Sequence, residues 1–258
     1  MVSRTSPRPA VRRWVPRPTA ALQLVTFPHA GGGAGAYRDW ASRLPEGIEV
    51  LAVQYPGRED RLADDAVTDI DDLVAAISDD LSRIIDRPYL VFGHSMGSAI
   101  AFETIRALRE RGFTEPERLI VSGRRAPDRF LGGEIHKAGA PALKAEVQRL
   151  GGTPREIFEH PEMAEIVLRV LGDDYRLIEN HHPQKGKPLG CPITVVLAAQ
   201  DPELSREHAA DWHALAVGGD LVELPGDHFY LVEHRDALLA EIVARVDPAV
   251  LAREGVGP

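Results

Sequence analysis

Tyr89-Leu90-Val91-Phe92-Gly93-His94-Ser95-Met96-Gly97-Ser98 is the stretch from which the rest of the chain is read. Its first four residues form a short apolar run of the kind that makes a buried strand. Residues 98–111 carry the spacing of an amphipathic helix. Between them Gly93, Ser95 and Gly97 spell G-x-S-x-G. In a strand–turn–helix setting this motif is a nucleophile elbow. The backbone turns so sharply there that Cβ atoms flanking the serine would clash, which is why glycines stand on either side. The turn lifts the Ser95 hydroxyl above the sheet, and the helix N-terminus beneath it favours developing negative charge. Ser95 is the candidate nucleophile.

Outward from the elbow, apolar runs at 22–27, 49–55, 89–92, 118–123, 193–199 and 221–224 read as strands. Amphipathic segments around 68–85, 96–111, 203–217 and 235–246 alternate with them. Several runs are almost continuous in Val, Ile and Leu, as strands buried on both faces must be. That alternation implies an α/β class with a mostly parallel sheet and helices on both faces. One interval breaks the rhythm, since roughly seventy residues separate Gly123 from Ile193. Within it 142–150 and 163–171 have helical spacing, punctuated by Gly151-Gly152-Thr153-Pro154 and His160-Pro161. A structureless loop of that length is uncommon, so the interval reads as a helical insertion. Ligands bind at the carboxyl ends of the strands in open α/β sheets, which makes an insertion leaving a strand there a lid. The expected division is 1–20 leader, 21–123 first part of the core, 124–190 lid and 191–258 second part of the core.

Composition narrows the function classes. The chain has 258 residues, 30 Lys+Arg against 39 Asp+Glu, and a formal charge of −9. An acidic balance argues against nucleic acid as a partner, because phosphate binding needs a basic face. A single cysteine, Cys191, excludes a disulfide framework and fits a reducing cytoplasm. No run approaches the ~18 apolar residues of a membrane span. The expectation is a soluble, cytoplasmic protein that needs no metal. Residues 1–20 hold Arg4, Arg8, Arg12, Arg13 and Arg17, four prolines and no acid. They read as a disordered basic leader outside the fold, with a docking arm for an acidic partner as the alternative.

A serine hydroxyl needs a base to act near neutrality. The strand at 221–224 and the turn Pro225-Gly226-Asp227 place His228 at the carboxyl edge, beside the elbow. His94 sits on the turn itself, where it cannot easily face the serine, and reads as packing. His181, His182, His208, His213 and His234 fall in helices or loops and read as surface, with no metal-ligand spacing among them. The base in turn needs an acid to hold its tautomer. Asp201 follows the run at 193–199, on the same edge. Asp227 is too close in sequence to reach the His228 ring, while Asp128 is a serious rival and Glu203 a weaker one. With Asp201 the order Ser95, Asp201, His228 is that of α/β-hydrolases.

Acyl transfer also needs oxyanion donors, one of them the N–H of Met96 just after the nucleophile. The other should come from the loop Phe27-Pro28-His29-Ala30-Gly31-Gly32-Gly33-Ala34-Gly35. The same glycines match a dinucleotide fingerprint at Gly31, Gly33 and Ala36, but that reading wants an acid closing the next strand. The strand ends in Gln54-Tyr55 instead.

Taken together, these motifs resemble the type II thioesterases of polyketide and nonribosomal peptide assembly lines, over roughly Leu24 to Leu231. The resemblance rests on Phe27-Pro28-His29-Ala30-Gly31-Gly32, Tyr37 and Trp40, and Val53-Gln54-Tyr55-Pro56-Gly57-Arg58-Glu59. Gly93-His94-Ser95-Met96-Gly97, Gly151-Gly152-Thr153-Pro154, Asp201-Pro202 with Trp212, and Gly226-Asp227-His228-Phe229-Tyr230-Leu231 complete it. It implies an α/β-hydrolase with a helical lid, working as a stand-alone editing enzyme. Such enzymes hydrolyse aberrant or stalled acyl groups from the phosphopantetheine of acyl or peptidyl carrier proteins, without a cofactor of their own. It also implies Ser95, Asp201 and His228 as the triad, with the backbone of Ala30 and Met96 as oxyanion donors. A general carboxylesterase or lipase is the alternative, and a non-catalytic binding protein the weakest reading, because all three triad positions are occupied. Arg124, Arg125 and Arg129, where the lid leaves the core, offer a surface to an acidic carrier; a solvated basic turn is the simpler account of them.

Overall fold

The computed structural model describes residues 8–129, 132–183 and 186–251. Seven strands form one sheet: β1 (Val11–Arg12), β2 (Leu22–Phe27), β3 (Ile48–Val53), β4 (Tyr89–His94), β5 (Arg118–Ser122), β6 (Ile193–Ala198) and β7 (Gly219–Leu224). Their order is β1-β3-β2-β4-β5-β6-β7. Every neighbouring pair is parallel except β1 with β3. The described helices are α1 (Trp40–Arg43), α2 (Ile70–Ile84), α3 (Met96–Glu110), α4 (Ala140–Leu150), α5 (Pro161–Glu179), α6 (Arg206–His213), α7 (Tyr230–Glu233), α8 (Arg235–Val243) and α9 (Pro248–Leu251).

Strand composition follows from burial on both faces. All six residues of β2, β3, β4 and β6 are buried. Along β2 the side chains alternate between two cores: Val25 and Phe27 pack with Ile77, Ile100 and Trp212, whereas Leu22 and Leu24 pack with Trp40, Leu238 and Ile242. The first core lies under α2, α3 and α6, and the second under α1 and α8. Burial of each large aliphatic side chain contributes about 1.5–3 kcal/mol, so the two apolar layers hold the sheet between them. Helix α2 shows how the sequence sets an element. Asp69 caps it by accepting the Asp71 N–H (2.8 Å), and Ile70, Leu73, Val74, Ile77 and Leu81 form its buried stripe.

Residues 8–20 belong to the fold, which corrects the expectation of a disordered leader over 1–20; residues 1–7 of that expectation lie outside the described residues. Val11 pairs with Val53 and Arg12 with Ala52, covering the edge that β3 would otherwise leave open. Ala10 and Ala20 are buried, and Ala10 O accepts the Gln54 N–H (2.7 Å). The arginines find local partners: Arg12 meets the Asp60 carboxylate (2.9 Å), and Arg17 donates to Pro45 O (2.7 Å) and Ile48 O (2.8 Å). Prolines are tolerated beside an edge strand because no ladder hydrogen bond is demanded of them.

Between β5 and β6 the chain leaves the sheet to form α4 and α5. Leu143 and Val147 of α4 pack on Leu171 of α5, with Ala30, Phe158 and Tyr175 against them. Helix α5 is longer than the periodicity at 163–171 indicates, continuing to Glu179. Asp174 hides the continuation: it stands on the buried stripe with Val170, Leu171, Leu177 and Ile178, where an apolar residue is expected. No described helix is long and apolar enough to cross a membrane.

Candidate active site

A single residue, Ser95, separates the end of β4 from the start of α3. Its backbone is forced to φ 53°, ψ −121°, a conformation rare for a side-chain-bearing residue. Neighbours hold that strain in place. The Ser95 N–H donates to Ser122 O on β5 (2.8 Å), and the buried Ser98 hydroxyl lies within 2.8 Å of Gly93 O and 2.9 Å of Ser122 O. A Cβ on Gly97 would come within 2.1 Å of Phe27 O, and one on Gly93 within 2.5 Å of Gly97 O. Both motif glycines are therefore steric requirements of the turn.

His228 and Asp201 meet at the carboxyl edge of β7 and β6. The ring Nδ1 lies 3.0 and 3.1 Å from the two carboxylate oxygens, and each side chain is 1% exposed. A carboxylate only accepts, so Nδ1 carries the proton and Nε2 presents its lone pair. That Nε2 is buried with no hydrogen-bond partner among the described residues. Ser95 and His228 line the same cavity. Asp201 Oδ1 also accepts the Glu203 N–H (2.8 Å), which fixes the carboxylate. The rival acids lie elsewhere. Asp128 is exposed on the Pro127–Arg129 turn, Asp227 accepts the Phe229 N–H (2.9 Å), and Glu203 pairs with Arg149.

The glycine-rich loop after β2 runs beside the elbow, and Ala30 lines the cavity with Ser95. Its start is held by two buried phenols, Tyr37 donating to Phe27 O (2.9 Å) and Tyr55 to Pro28 O (3.1 Å). Further along, Gln54 Oε1 accepts the Ala34 N–H (2.9 Å). The residue that spoils a dinucleotide reading is thus a brace for the loop. Met96 occupies the first position of α3, where an amide has no intrahelical acceptor.

Two cavities meet at Ser95 and Ala30. One, about 200 Å³, is walled by Val147, Leu150, Ile157, Val167, Leu171 and Phe229. The other, about 370 Å³, is lined by Arg124, Arg125, Arg129 and Arg149 with Glu146 and Glu179. The three arginines grouped by sequence differ in setting: burial pulls the Arg124 guanidinium down to about 10, Arg125 is exposed, and Arg129 pairs with Asp211 (3.4 Å).

His94 is fully buried, as its packing role requires. Its ring lies 5.0 Å from that of His228 and 5.9 Å from that of His29, and its Nδ1 is 3.2 Å from the Ser122 hydroxyl. Burial, reinforced by His228 and His29, holds His94 well below the ordinary histidine value of 6.5. Burial also lowers His29 to about 4, with His228 and Arg58 adding to the effect. Between those values the unfolded chain binds protons that the folded chain refuses, so stability rises with pH and is lost as pH falls below 6.5. The urea midpoint is expected to drop between about pH 7.5 and about pH 5, with each histidine adding at most ~1.4 kcal/mol per pH unit. His94→Asn should flatten that slope, and an unchanged slope would contradict the assignment.

His181 departs from the surface reading. It is buried at the end of α5, with Nε2 3.2 Å from Glu103 on α3, because the chain leaving the lid folds back over that helix. What sequence reading did not find is the buried pair Arg58–Asp174, whose partners lie 116 positions apart. The string around Arg58 marked the spot without revealing its partner. No group of His, Cys, Asp and Glu side chains among the described residues is arranged to hold a metal ion.

A family model described as a thioesterase domain matches residues 22–246. A probable cadicidin biosynthesis thioesterase of Streptomyces griseus is 36% identical over 92% of this chain and 66% of its own length. Among solved structures, the type II thioesterase BorB from the borrelidin biosynthetic cluster is 38% identical with a TM-score of 0.84. The match covers 93% of this chain and 99% of that one. RedJ, a thioesterase from the prodiginine pathway of Streptomyces coelicolor, is 36% identical with a TM-score of 0.83, covering 88% and 86%. A family match across nearly the whole sheet, and a shared fold at this identity, lead to one assignment: the chain belongs to the thioesterase family and has its α/β-hydrolase fold.

Proposed function

We propose that the chain is a stand-alone editing thioesterase, hydrolysing aberrant or stalled acyl groups from the phosphopantetheine thiol of acyl or peptidyl carrier proteins. The observation that carries this reading is the pair of unlike cavities joined at Ser95. A substrate matching both has an apolar acyl end and a long polar arm, with the scissile carbonyl between them. The type II thioesterase YbtT, 28% identical and titled as part of an NRPS/PKS biosynthetic pathway, supports the same substrate class. The arm belongs to the carrier, so the enzyme requires no cofactor of its own. Arg125 and Arg129, exposed beside the second cavity, suit an acidic carrier surface. A buried, unpaired Cys191 fits a cytoplasmic setting.

The chemistry follows from the hydrogen-bond directions. His228 Nε2 takes the Ser95 proton as Oγ attacks the thioester carbonyl, and Asp201 stabilises the imidazolium through Nδ1–H. The amides of Ala30 and Met96 receive the oxyanion. On collapse the C–S bond breaks, His228 returns the proton to the departing thiolate, and Ser95 keeps the acyl group. A water, deprotonated by His228, then attacks the acyl-enzyme; the bond from the acyl carbon to Ser95 Oγ breaks, His228 returns the proton to Oγ, and the acid leaves.

The test compares an acyl-loaded carrier protein with the same acyl group on a simple oxygen ester. The expected result is a kcat/KM at least about 10²-fold higher for the loaded carrier, the scale of a specificity set by remote binding. Equal or better turnover of the oxygen ester would make the enzyme a general carboxylesterase instead.

A further inference from the structure

The Tyr55-Pro56-Gly57-Arg58-Glu59 string is left without a role by the triad chemistry. Arg58 is buried and makes a bidentate pair with Asp174 of the lid helix α5, Nη1–Oδ2 at 2.5 Å and Nη2–Oδ1 at 2.6 Å. Exposure of the two side chains is 9% and 5%. A buried ion pair is weak as a stabilising device, because desolvation offsets much of the attraction and apolar residues of similar volume would serve as well. Its presence points to something an apolar pair does not do.

What it does is present a charged acceptor to the loop after β2. Asp174 Oδ2 accepts the N–H of Gly31 (2.7 Å), and Arg58 Nη1 donates to Gly32 O (3.2 Å). Gly31 has φ +80°, and a Cβ there would meet Leu171 Cδ2 at 2.8 Å, so one turn of α5 covers this residue from two directions. The bond between Ala30 and Gly31 leads directly from the oxyanion donor to the held amide. A charge-assisted hydrogen bond at Gly31 limits rotation at the α-carbon of Ala30 and at the peptide that follows it.

Resting on the thioesterase reading above, we propose that Asp174, oriented by Arg58, is a positioning residue for the oxyanion hole. It holds the Gly31 amide and thereby aims the Ala30 N–H at the developing oxyanion. Because Asp174 belongs to the lid, seating the lid helix and completing the oxyanion hole are one event.

The experiment measures hydrolysis of a small acyl thioester by the parent chain, Asp174→Asn, Asp174→Ala and Arg58→Lys. Each is also titrated with a boronic acid bearing the same acyl chain, as transition-state analogue, and with the product carboxylic acid. Outright loss of one oxyanion donor costs about 10²–10³ in kcat. Asp174→Ala is expected to lose on the order of 10²-fold, and Asp174→Asn, which keeps an acceptor for Gly31, on the order of 10-fold. Arg58→Lys should fall between parent and Asp174→Ala. KM and product affinity should stay within about twofold while boronate affinity falls with kcat, because the lost interaction exists only in the transition state. A kcat unchanged in Asp174→Ala, a loss confined to KM, or equal weakening of product and boronate would overturn the proposal. Should Asp174→Ala not fold, the isosteric Asp174→Asn decides by the same criteria. A parent that binds the boronate but hydrolyses no thioester would fail the functional reading alone, and the boronate series would still test the positioning.

Discussion

Ser95→Ala is expected to lose on the order of 10⁶ in kcat for a small acyl thioester, the scale seen when a triad nucleophile is removed. The fold should survive the change. Alanine keeps the Cβ, and the contacts that hold the strained backbone come from the Ser95 N–H, Ser98 and the two glycines rather than from the Ser95 hydroxyl. Side-chain replacement therefore removes chemistry without opening a hole, since Ser95 itself is only half-buried and faces the cavity. Thermal unfolding and circular dichroism of the variant should overlay the parent. Residual turnover near the parent's rate would mean that another residue attacks the carbonyl.

The second large effect is at Asp201. Asp201→Asn is expected to lower kcat by about 10⁴, through the histidine tautomer rather than through geometry. Asp201 Oδ1 already accepts the Glu203 N–H, and in the variant the amide oxygen keeps that role. The amide nitrogen then faces His228 Nδ1, which must accept instead of donate. The ring proton moves to Nε2, and a protonated Nε2 cannot take the proton of Ser95. Asp128→Asn is the matched control: its carboxylate is exposed and away from His228, so activity should be unchanged. Loss in Asp128→Asn with activity retained in Asp201→Asn would reverse the assignment of the acid.

Local signals make most of the fold and the candidate nucleophile legible in the sequence. The elbow is written in consecutive residues, and β2 through β6 are mostly apolar runs because both faces are covered. Edge strand β1 is not legible in the sequence: two residues in a stretch of arginine and proline carry no periodicity, and their pairing is decided by the open edge of β3. The end of α5 was hidden by Asp174, a carboxylate on an apolar stripe whose partner comes from another part of the chain. Place and chain order favour Asp201 over Asp128 in the sequence, but both follow strands that end on the same edge, and it is the 3.0 Å approach to His228 Nδ1 that separates them. His181 looked like surface because nothing in its neighbours reveals the return of the chain over α3.

Hydrolysis of carrier-bound thioesters through Ser95 can be read from the mass of the carrier itself. An acyl-loaded carrier protein is incubated with the parent chain and with Ser95→Ala, and intact carrier mass is followed over time. The acyl mass should disappear with the parent, leaving free phosphopantetheine thiol, and persist with Ser95→Ala. An acyl group that stays on the carrier with both proteins, or leaves equally fast with both, would contradict it.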